Sequence, residues 1–372
     1  MKKSIAIIEN NIISTLTVRS KLTKVLMEEG HNVTILTTGT EQQLQKAKEL
    51  GFTVININTS SQNPADVLLY LKNLHQSLKK IQADVCLTFT IRPAIWGNLI
   101  TRILRIPTIT NITGVGPLFE SDRFVYRFAR MLYKFSLKKT SKIFFQNKDD
   151  MSLFIKNKFI ANNQFSLIPG SGIDHEHFKP IDNVYDDTKL VFLFIGRLLK
   201  DKGVIEFVES ARKLKNEFNH LEFRIIGPLW LQNLKDNTIT QQQLDSWIND
   251  GIINYVGEVS DVRNYIASSD CLVLPSYREG TSNVLLEASS MERPCITCDT
   301  TGCREIVEDG KTGFLCNVAD IDDLTAKLRK FILLPKETRI QLGKNARQKV
   351  VKEYDKKIVI DAYLDAIEKY GK

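Results

Sequence analysis

No stretch of the 372-residue sequence approaches the ~18 uninterrupted apolar residues that would span a bilayer. The opening Met1-Lys2-Lys3-Ser4-Ile5-Ala6-Ile7-Ile8 is too short an apolar run for a signal peptide, and Glu9 closes it. There are no low-complexity tracts and no repeats of ~20–50 residues, which excludes solenoids and arrays. Glycine is missing where dinucleotide binding needs it: Glu9-Asn10-Asn11-Ile12-Ile13-Ser14 follows the first apolar run, so G-x-G-x-x-G is absent. The G-x-x-x-x-G-K-[ST] loop is also absent. Nicotinamide chemistry and P-loop hydrolysis therefore lose their sequence support. Cysteine is scarce, with Cys86, Cys271, Cys295, Cys298, Cys303 and Cys316 in the whole chain. Without an export signal these read as buried thiols in a reducing cytoplasm rather than a disulfide framework. Cys295-Ile296-Thr297-Cys298 resembles a metal or redox C-x-x-C but lies in a strand-like run, where residues three apart point to opposite faces.

Hydrophobic residues make up 43% and charged residues 25%, the balance of a globular protein long enough for two domains. The net charge of +8 is unevenly spread. Residues 1–172 carry 23 Lys/Arg against 11 Asp/Glu, and the remainder 28 against 32. A basic front half fits nucleic acid, phospholipid or a phosphorylated substrate, or a surface kept basic for solubility.

Short apolar runs alternate with helical stretches throughout. The expected strands are Ser4–Ile8, Val33–Thr37, Thr53–Ile57, Val85–Phe89, Thr108–Ile112, Lys142–Gln146 and Phe165–Ile168. After a break the rhythm resumes with Leu190–Ile195, Leu221–Ile226, Ile252–Val256, Cys271–Leu274, Pro294–Cys298 and Gly313–Cys316. Helices are expected at Thr17–Glu29 and Val67–Ile81, among others. This predicts two Rossmann-like α/β domains with parallel sheets. The break falls at Pro169-Gly170-Ser171-Gly172-Ile173-Asp174 and the polar Asp182–Lys189. The expected division is 1–172 and 173–354, with an amphipathic helix in 355–372 packing back on the first domain.

Chemistry concentrates in the second half. Gly196-Arg197 ends a strand, and Lys200-Asp201-Lys202-Gly203 opens the next helix. Ligands of open α/β sheets bind at the carboxyl ends of strands, where Arg197 and Lys202 would meet a diphosphate beside free helix amides. The alternative is a pair of solvated loop charges. In Leu274-Pro275-Ser276-Tyr277-Arg278-Glu279-Gly280-Thr281-Ser282-Asn283-Val284-Leu285-Leu286-Glu287-Ala288 a strand runs into a turn and then a helix. The first amides of that helix would face the same anion. Glu279 and Glu287 would accept hydrogen bonds from two sets of hydroxyls on one long ligand. Taken singly, each also reads as an ordinary loop or helical acid.

The segments Phe194-Ile195-Gly196-Arg197…Lys202-Gly203, Glu279-x7-Glu287 and Thr301–Leu315 resemble the retaining glycosyltransferases of family four, group 1, with the GT-B fold. The likeness is strong over residues 165–355 and looser in front. It implies two Rossmann-like doubly wound domains facing a central cleft. It also implies that Arg197 and Lys202 hold the nucleotide diphosphate, that Glu279 binds donor-sugar hydroxyls and that Glu287 binds the ribose. Gly196 and the backbone around Gly280, Thr281, Ser282 and Asn283 would complete the phosphate cradle. The uracil would rest near Gly227, Gly257 and Val259. Asn111-Ile112-Thr113-Gly114-Val115-Gly116-Pro117-Leu118-Phe119 and Phe144-Phe145-Gln146-Asn147 resemble the branch acting on lipid-diphosphate-linked sugars, with Arg19, Thr113 and Gly114 on the acceptor side. Two features depart from that pattern: no glycine pair follows the first strand, and Thr113 stands where some relatives carry a histidine.

The resemblance implies retention of configuration with a UDP-sugar donor and no metal, the cations taking its place. Asp320-Ile321-Asp322-Asp323 contains a D-x-D but precedes a helical run, so helix capping accounts for it. Arg123, Arg127, Arg130, Lys134 and Lys138 share one helical face, beside Phe124, Phe128, Met131 and Phe135. This stripe suits an anionic membrane surface, or else its aromatic edge is buried in the core; nucleic acid fits less well. The expected activity is transfer of a hexose or N-acetylhexosamine to a polyprenyl-diphosphate-linked saccharide at the cytoplasmic membrane face. A nucleotide-sugar epimerase of the same fold and a non-catalytic nucleotide-sugar or glycan-binding protein are the alternatives.

Overall fold

The computed structural model describes residues 2–57, 64–115, 119, 124–160, 164–181, 188–230 and 237–372. Gly116, Pro117, Leu118, Arg123, most of the Asp182–Lys189 linker and the side chain of Phe124 lie outside the described residues. The chain forms two compact units, Met1–Ser171 with Lys357–Lys372, and Gly172–Lys356.

The first unit carries β1 (Ser4–Ile8), β2 (Asn32–Thr37), β3 (Thr53–Asn56), β4 (Val85–Phe89), β5 (Thr108–Ile112), β6 (Lys142–Phe145) and β7 (Phe165–Leu167). They pair in parallel in the order β3-β2-β1-β4-β5-β6-β7. β4 and β5 are buried at every position, as strands covered on both faces must be. Its helices are α1 (Ile12–Leu16), α2 (Ser20–Glu28), α3 (Glu41–Glu49), α4 (Pro64–Ile81), α5 (Ile91–Ile103), α6 (Phe124–Leu137) and α7 (Lys148–Lys156).

The helix expected at Thr17–Glu29 is α2, which starts three residues later at Ser20, and a separate short helix, α1, precedes it. Asn11 accepts from Ile13 N–H and starts α1, and the Thr17 hydroxyl bonds back to Ile13 O at 2.7 Å where that helix ends. Side chains that bond their own backbone compete in this way with helix continuation. On α6, Tyr133 and Leu137 enter the core. Phe128, Met131 and Phe135 stay outside it at 50%, 58% and 46% exposure, so these three stripe residues are not core.

The second unit carries β8 (Leu190–Ile195), α8 (Val204–Lys215), β9 (Leu221–Ile226), α9 (Gln241–Asn249), β10 (Asn254–Gly257), α10 (Arg263–Ala267), β11 (Cys271–Leu274), α11 (Asn283–Ser290), β12 (Cys295–Cys298), β13 (Gly313–Cys316), α12 (Ile321–Ile332) and α13 (Lys336–Glu353). Its strands pair in parallel as β10-β9-β8-β11-β12-β13. β10 begins two residues later than its apolar run: the Ile252 N–H donates to Trp247 O at 3.0 Å at the end of α9, and pairing with β9 starts at Asn254. Asp320 caps α12 by accepting from Asp323 N–H at 2.9 Å, the capping role expected of its D-x-D. All six cysteines are free and buried. Cys295 meets Ser289 of α11, whereas Cys298 meets Cys316 on β13, so the C-x-x-C thiols serve different neighbours. The last helix, α14 (Lys356–Tyr370), lays Val359, Ile360, Tyr363, Ala366 and Ile367 on the core of the first unit. That spacing is one helical face.

Candidate active site

Strand order alone singles out one place in the second unit. β8 has β9 on one side and β11 on the other. The connections leaving β8 and β11 therefore run in opposite directions and open a crevice at the carboxyl ends of the two strands. The Gly196–Lys202 segment follows β8 and the Pro275–Ser282 segment follows β11, so sequence motif and topology converge.

Glycines close the rim beside it. Gly196 donates to Ile226 O and Gly227 to Gly257 O, each at 2.9 Å. Gly227 has φ +140°, and a Cβ there would overlap the Gly196 carbonyl, 2.7 Å from its carbon. The ends of β8 and β9 approach this closely only because Gly227 has no side chain. Tyr255 OH donates to Gly227 O at 2.9 Å, and Val259 packs on the core below.

The two cations are held in different ways. Lys202 ends a 3-10 turn, Lys200–Lys202, and donates from Nζ to Glu279 Oε1 at 2.6 Å. Both side chains are half-buried. Arg197 is exposed, with its guanidinium 5.1 Å over the Trp230 ring. Among the described residues no carboxylate pairs with it. The geometry thus joins Lys202 to Glu279 and seats Arg197 at the neighbouring strand end.

Ser282 precedes α11 without a side-chain cap bond, and its own N–H donates to Gly302 O at 3.1 Å. The first-turn amides from Asn283 onward carry the positive end of the helix dipole. Glu279 N–H donates to Thr301 O at 3.0 Å, and the Thr281 hydroxyl to Gly280 O at 3.0 Å. Gly302, at φ +79°, lies so near Glu279 that a Cβ would come within 2.6 Å of its carbonyl carbon. Glu287 lies one turn into α11 and is not solvated as an ordinary helical acid would be. Burial pushes its carboxyl up to about 7, against the pull of the Lys356 charge.

In the first unit, Arg19 is 7% exposed, lies 3.3 Å from Glu9 and stacks 4.1 Å over Phe89. Burial holds the Glu9 carboxyl above the usual range although Arg19 pulls it down. Thr113 and Gly114 follow β5, half-buried, with Gly114 at φ +143°. Sequence reasoning did not pick out Trp230, Tyr277 or Glu206. Tyr277 donates to Glu206 Oε1 at 2.6 Å, immediately beside the Lys202–Glu279 pair. The available signal was position: Glu206 stands one helical turn after Lys202, and Tyr277 two residues before Glu279.

Residues 176–349 match the family described as glycosyl transferases group 1, and residues 6–147 match glycosyl transferase 4-like. The N,N'-diacetylbacillosaminyl-diphospho-undecaprenol alpha-1,3-N-acetylgalactosaminyltransferase of Campylobacter jejuni is 28% identical over 364 residues, 93% of either chain. The UDP-Gal:alpha-D-GlcNAc-diphosphoundecaprenol alpha-1,3-galactosyltransferase of Escherichia coli is 30% identical over 319 residues, 80% of this chain and 79% of that one. Among solved structures, Anabaena HepE in complex with UDP and glucose superposes with a TM-score of 0.81 at 14% identity, covering 98% of this chain and 99% of that one. A glycosyltransferase from Rickettsia africae gives 0.78 at 18% identity, with 99% and 98% covered. With both Rossmann-like units in place and a relative 30% identical over 80% of the chain, the protein belongs to the group 1 glycosyltransferases of GT-B fold.

Proposed function

We propose that the chain transfers a hexosyl or N-acetylhexosaminyl unit from a UDP-sugar to a polyprenyl-diphosphate-linked saccharide, with retention, during surface-glycan synthesis. The observation that carries this reading is the pair Lys202–Glu279, joined at 2.6 Å across the β8/β11 switch point and beside the opening of α11. One residue of the pair suits phosphate oxygens and the other suits sugar hydroxyls. The activities for which the two relatives are named, both on undecaprenyl-diphosphate saccharides, support the acceptor class.

Bond breaking builds positive charge at the anomeric carbon and negative charge on the departing diphosphate. Arg197, Lys202 and the α11 amides stabilise that diphosphate as its charge grows. Two cations and a helix terminus supply the charge a divalent metal would otherwise bring, so the reaction needs no metal. Glu279 orients the sugar through its hydroxyls, and Glu287 accepts from the ribose. The base rests against Gly227, Gly257 and Val259, and the acceptor lies on the basic first unit near Arg19, Thr113 and Gly114. The exposed Phe128, Met131 and Phe135, flanked by Arg127, Lys134 and Lys138, support a cytoplasmic enzyme that touches the anionic inner membrane face. No helix among the described residues is long and apolar enough to cross a membrane.

The test is UDP release from a panel of UDP-sugars, with and without a polyprenyl-diphosphate saccharide, in EDTA. Acceptor-dependent release that collapses in Glu279→Ala, with an axial anomeric product by NMR, is expected. Turnover of the donor without an acceptor points to an epimerase. Donor binding without any turnover points to a binding protein.

A further inference from the structure

Lys202 and Glu279 belong to two separate segments, and their contact depends on what keeps those segments in register. Tyr277 is tied to three places at once. Its N–H donates to Asp201 O at 2.9 Å, its hydroxyl donates to Glu206 Oε1 at 2.6 Å, and its carbonyl accepts from the Thr300 hydroxyl at 2.9 Å. Asp201 is the residue before Lys202, and Glu206 lies in the first turn of α8, which Gly203 opens. Glu206 is 7% exposed, far more buried than a helix acid needs to be, and its other oxygen has no hydrogen-bond partner. A buried carboxylate is costly unless hydrogen bonds or charges compensate it. Here it holds the Tyr277 hydroxyl, which burial and the carboxylate together keep protonated and donating.

We propose that Glu206 and Tyr277 are positioning residues for glycosyl transfer. The hydrogen bond between them fixes the separation of the Lys202 segment from the Glu279 segment, and so of the leaving diphosphate from the sugar it leaves. Neither residue needs to touch the donor. The inference rests on the reading of Lys202 and Glu279 as donor-site groups. A loosened latch leaves each group able to bind its own part of the donor but not both in reacting geometry. The loss should therefore fall on kcat rather than on nucleotide affinity.

The experiment uses the full chain with Tyr277→Phe, Glu206→Ala and Glu206→Gln. The expected result is a fall in kcat of at least tenfold for the first two, with UDP affinity by calorimetry within about threefold of wild type. Glu206→Gln, which keeps the length and an acceptor oxygen, should recover part of the loss. Backbone amide exchange, read without any donor, should quicken at Tyr277 and Lys202 in Tyr277→Phe. Variants that lose thermal stability but keep wild-type kcat in the folded fraction overturn the proposal, because a merely structural bond behaves that way. Unchanged amide exchange also overturns it. If the wild-type chain binds no uridine nucleotide, the donor-site reading fails instead, and the exchange measurement still reports whether the latch holds the two segments.

Discussion

Gly203 offers a sharp test of how the site is held. It has φ +74° and sits directly after Lys202. A Cβ there would lie 2.6 Å from both the carbonyl carbon and Cγ of Pro275, and closer still to the Pro275 oxygen. None of these atoms is the far end of a flexible side chain, so the two segments must separate. The left-handed backbone costs a non-glycine residue about 1–2 kcal/mol. Forcing extra volume into a packed contact adds about 1–3 kcal/mol. Gly203→Ala should therefore lose about 2–5 kcal/mol. Gly251 is the control: its φ is +67°, but nothing lies within 4 Å of its would-be Cβ. Gly251→Ala should carry only the backbone term, about 1–2 kcal/mol. Urea unfolding of the full chain gives both values, and UDP release gives the functional cost. A displacement of about 1 Å at reacting groups is worth roughly 100-fold in rate, so Gly203→Ala should be nearly inactive and Gly251→Ala fully active. Two variants indistinguishable in stability and in rate would refute the claim that these segments are closed against each other.

Glu287 gives a pH signature. Its carboxyl sits at about 7 in the folded chain, above the ordinary 4.5. Because the folded value is the raised one, stability is fully present below about 4.5 and is lost as pH rises through 7. Glu287→Gln should be more stable than wild type by about 1–3 kcal/mol at pH 8, with the difference shrinking toward zero by pH 4.5; denaturant midpoints across that range check it. The same variant should weaken UDP binding at pH 8, where the ribose would otherwise meet a carboxylate. On α6, the triple change Phe128→Ser, Met131→Ser, Phe135→Ser should leave thermal stability nearly unchanged, since these side chains are exposed. It should reduce sedimentation with anionic phospholipid vesicles several-fold; equal sedimentation would remove the membrane role.

Most of the fold was legible because parallel strands covered on both faces are written as unbroken apolar runs. β1, β4, β5, β8, β9, β11 and β13 begin and end where those runs do. The misplacements share a cause: local patterning does not report which partner a residue finds. Ile252 and Ile253 belong to the apolar run and to the core, but the Ile252 N–H closes the end of α9 instead of pairing, and the Thr17 hydroxyl ends α1 on its own backbone so that α2 starts only at Ser20. The cations and carboxylates of the site were legible as residue types at the ends of β8 and β11. Their holders were not. Trp230 carries no motif-like spacing, and Tyr277 and Glu206, though near Glu279 and Lys202 in sequence, look like an ordinary loop tyrosine and first-turn acid until their mutual bond and the burial of Glu206 are seen. Likewise, the exposure of the α6 aromatics depends on which helical face the sheet covers, which the stripe alone left open.

The proposed donor site requires that a pyrophosphate bind where β8 and β11 part, against Arg197, Lys202 and the start of α11. Calorimetric titration of UDP into the wild-type chain, Arg197→Ala and Lys202→Ala tests it most directly. Saturable binding by wild type, weakened at least tenfold by either substitution while uridine itself is unaffected, is the expected result. Equal UDP affinity in all three chains would contradict it.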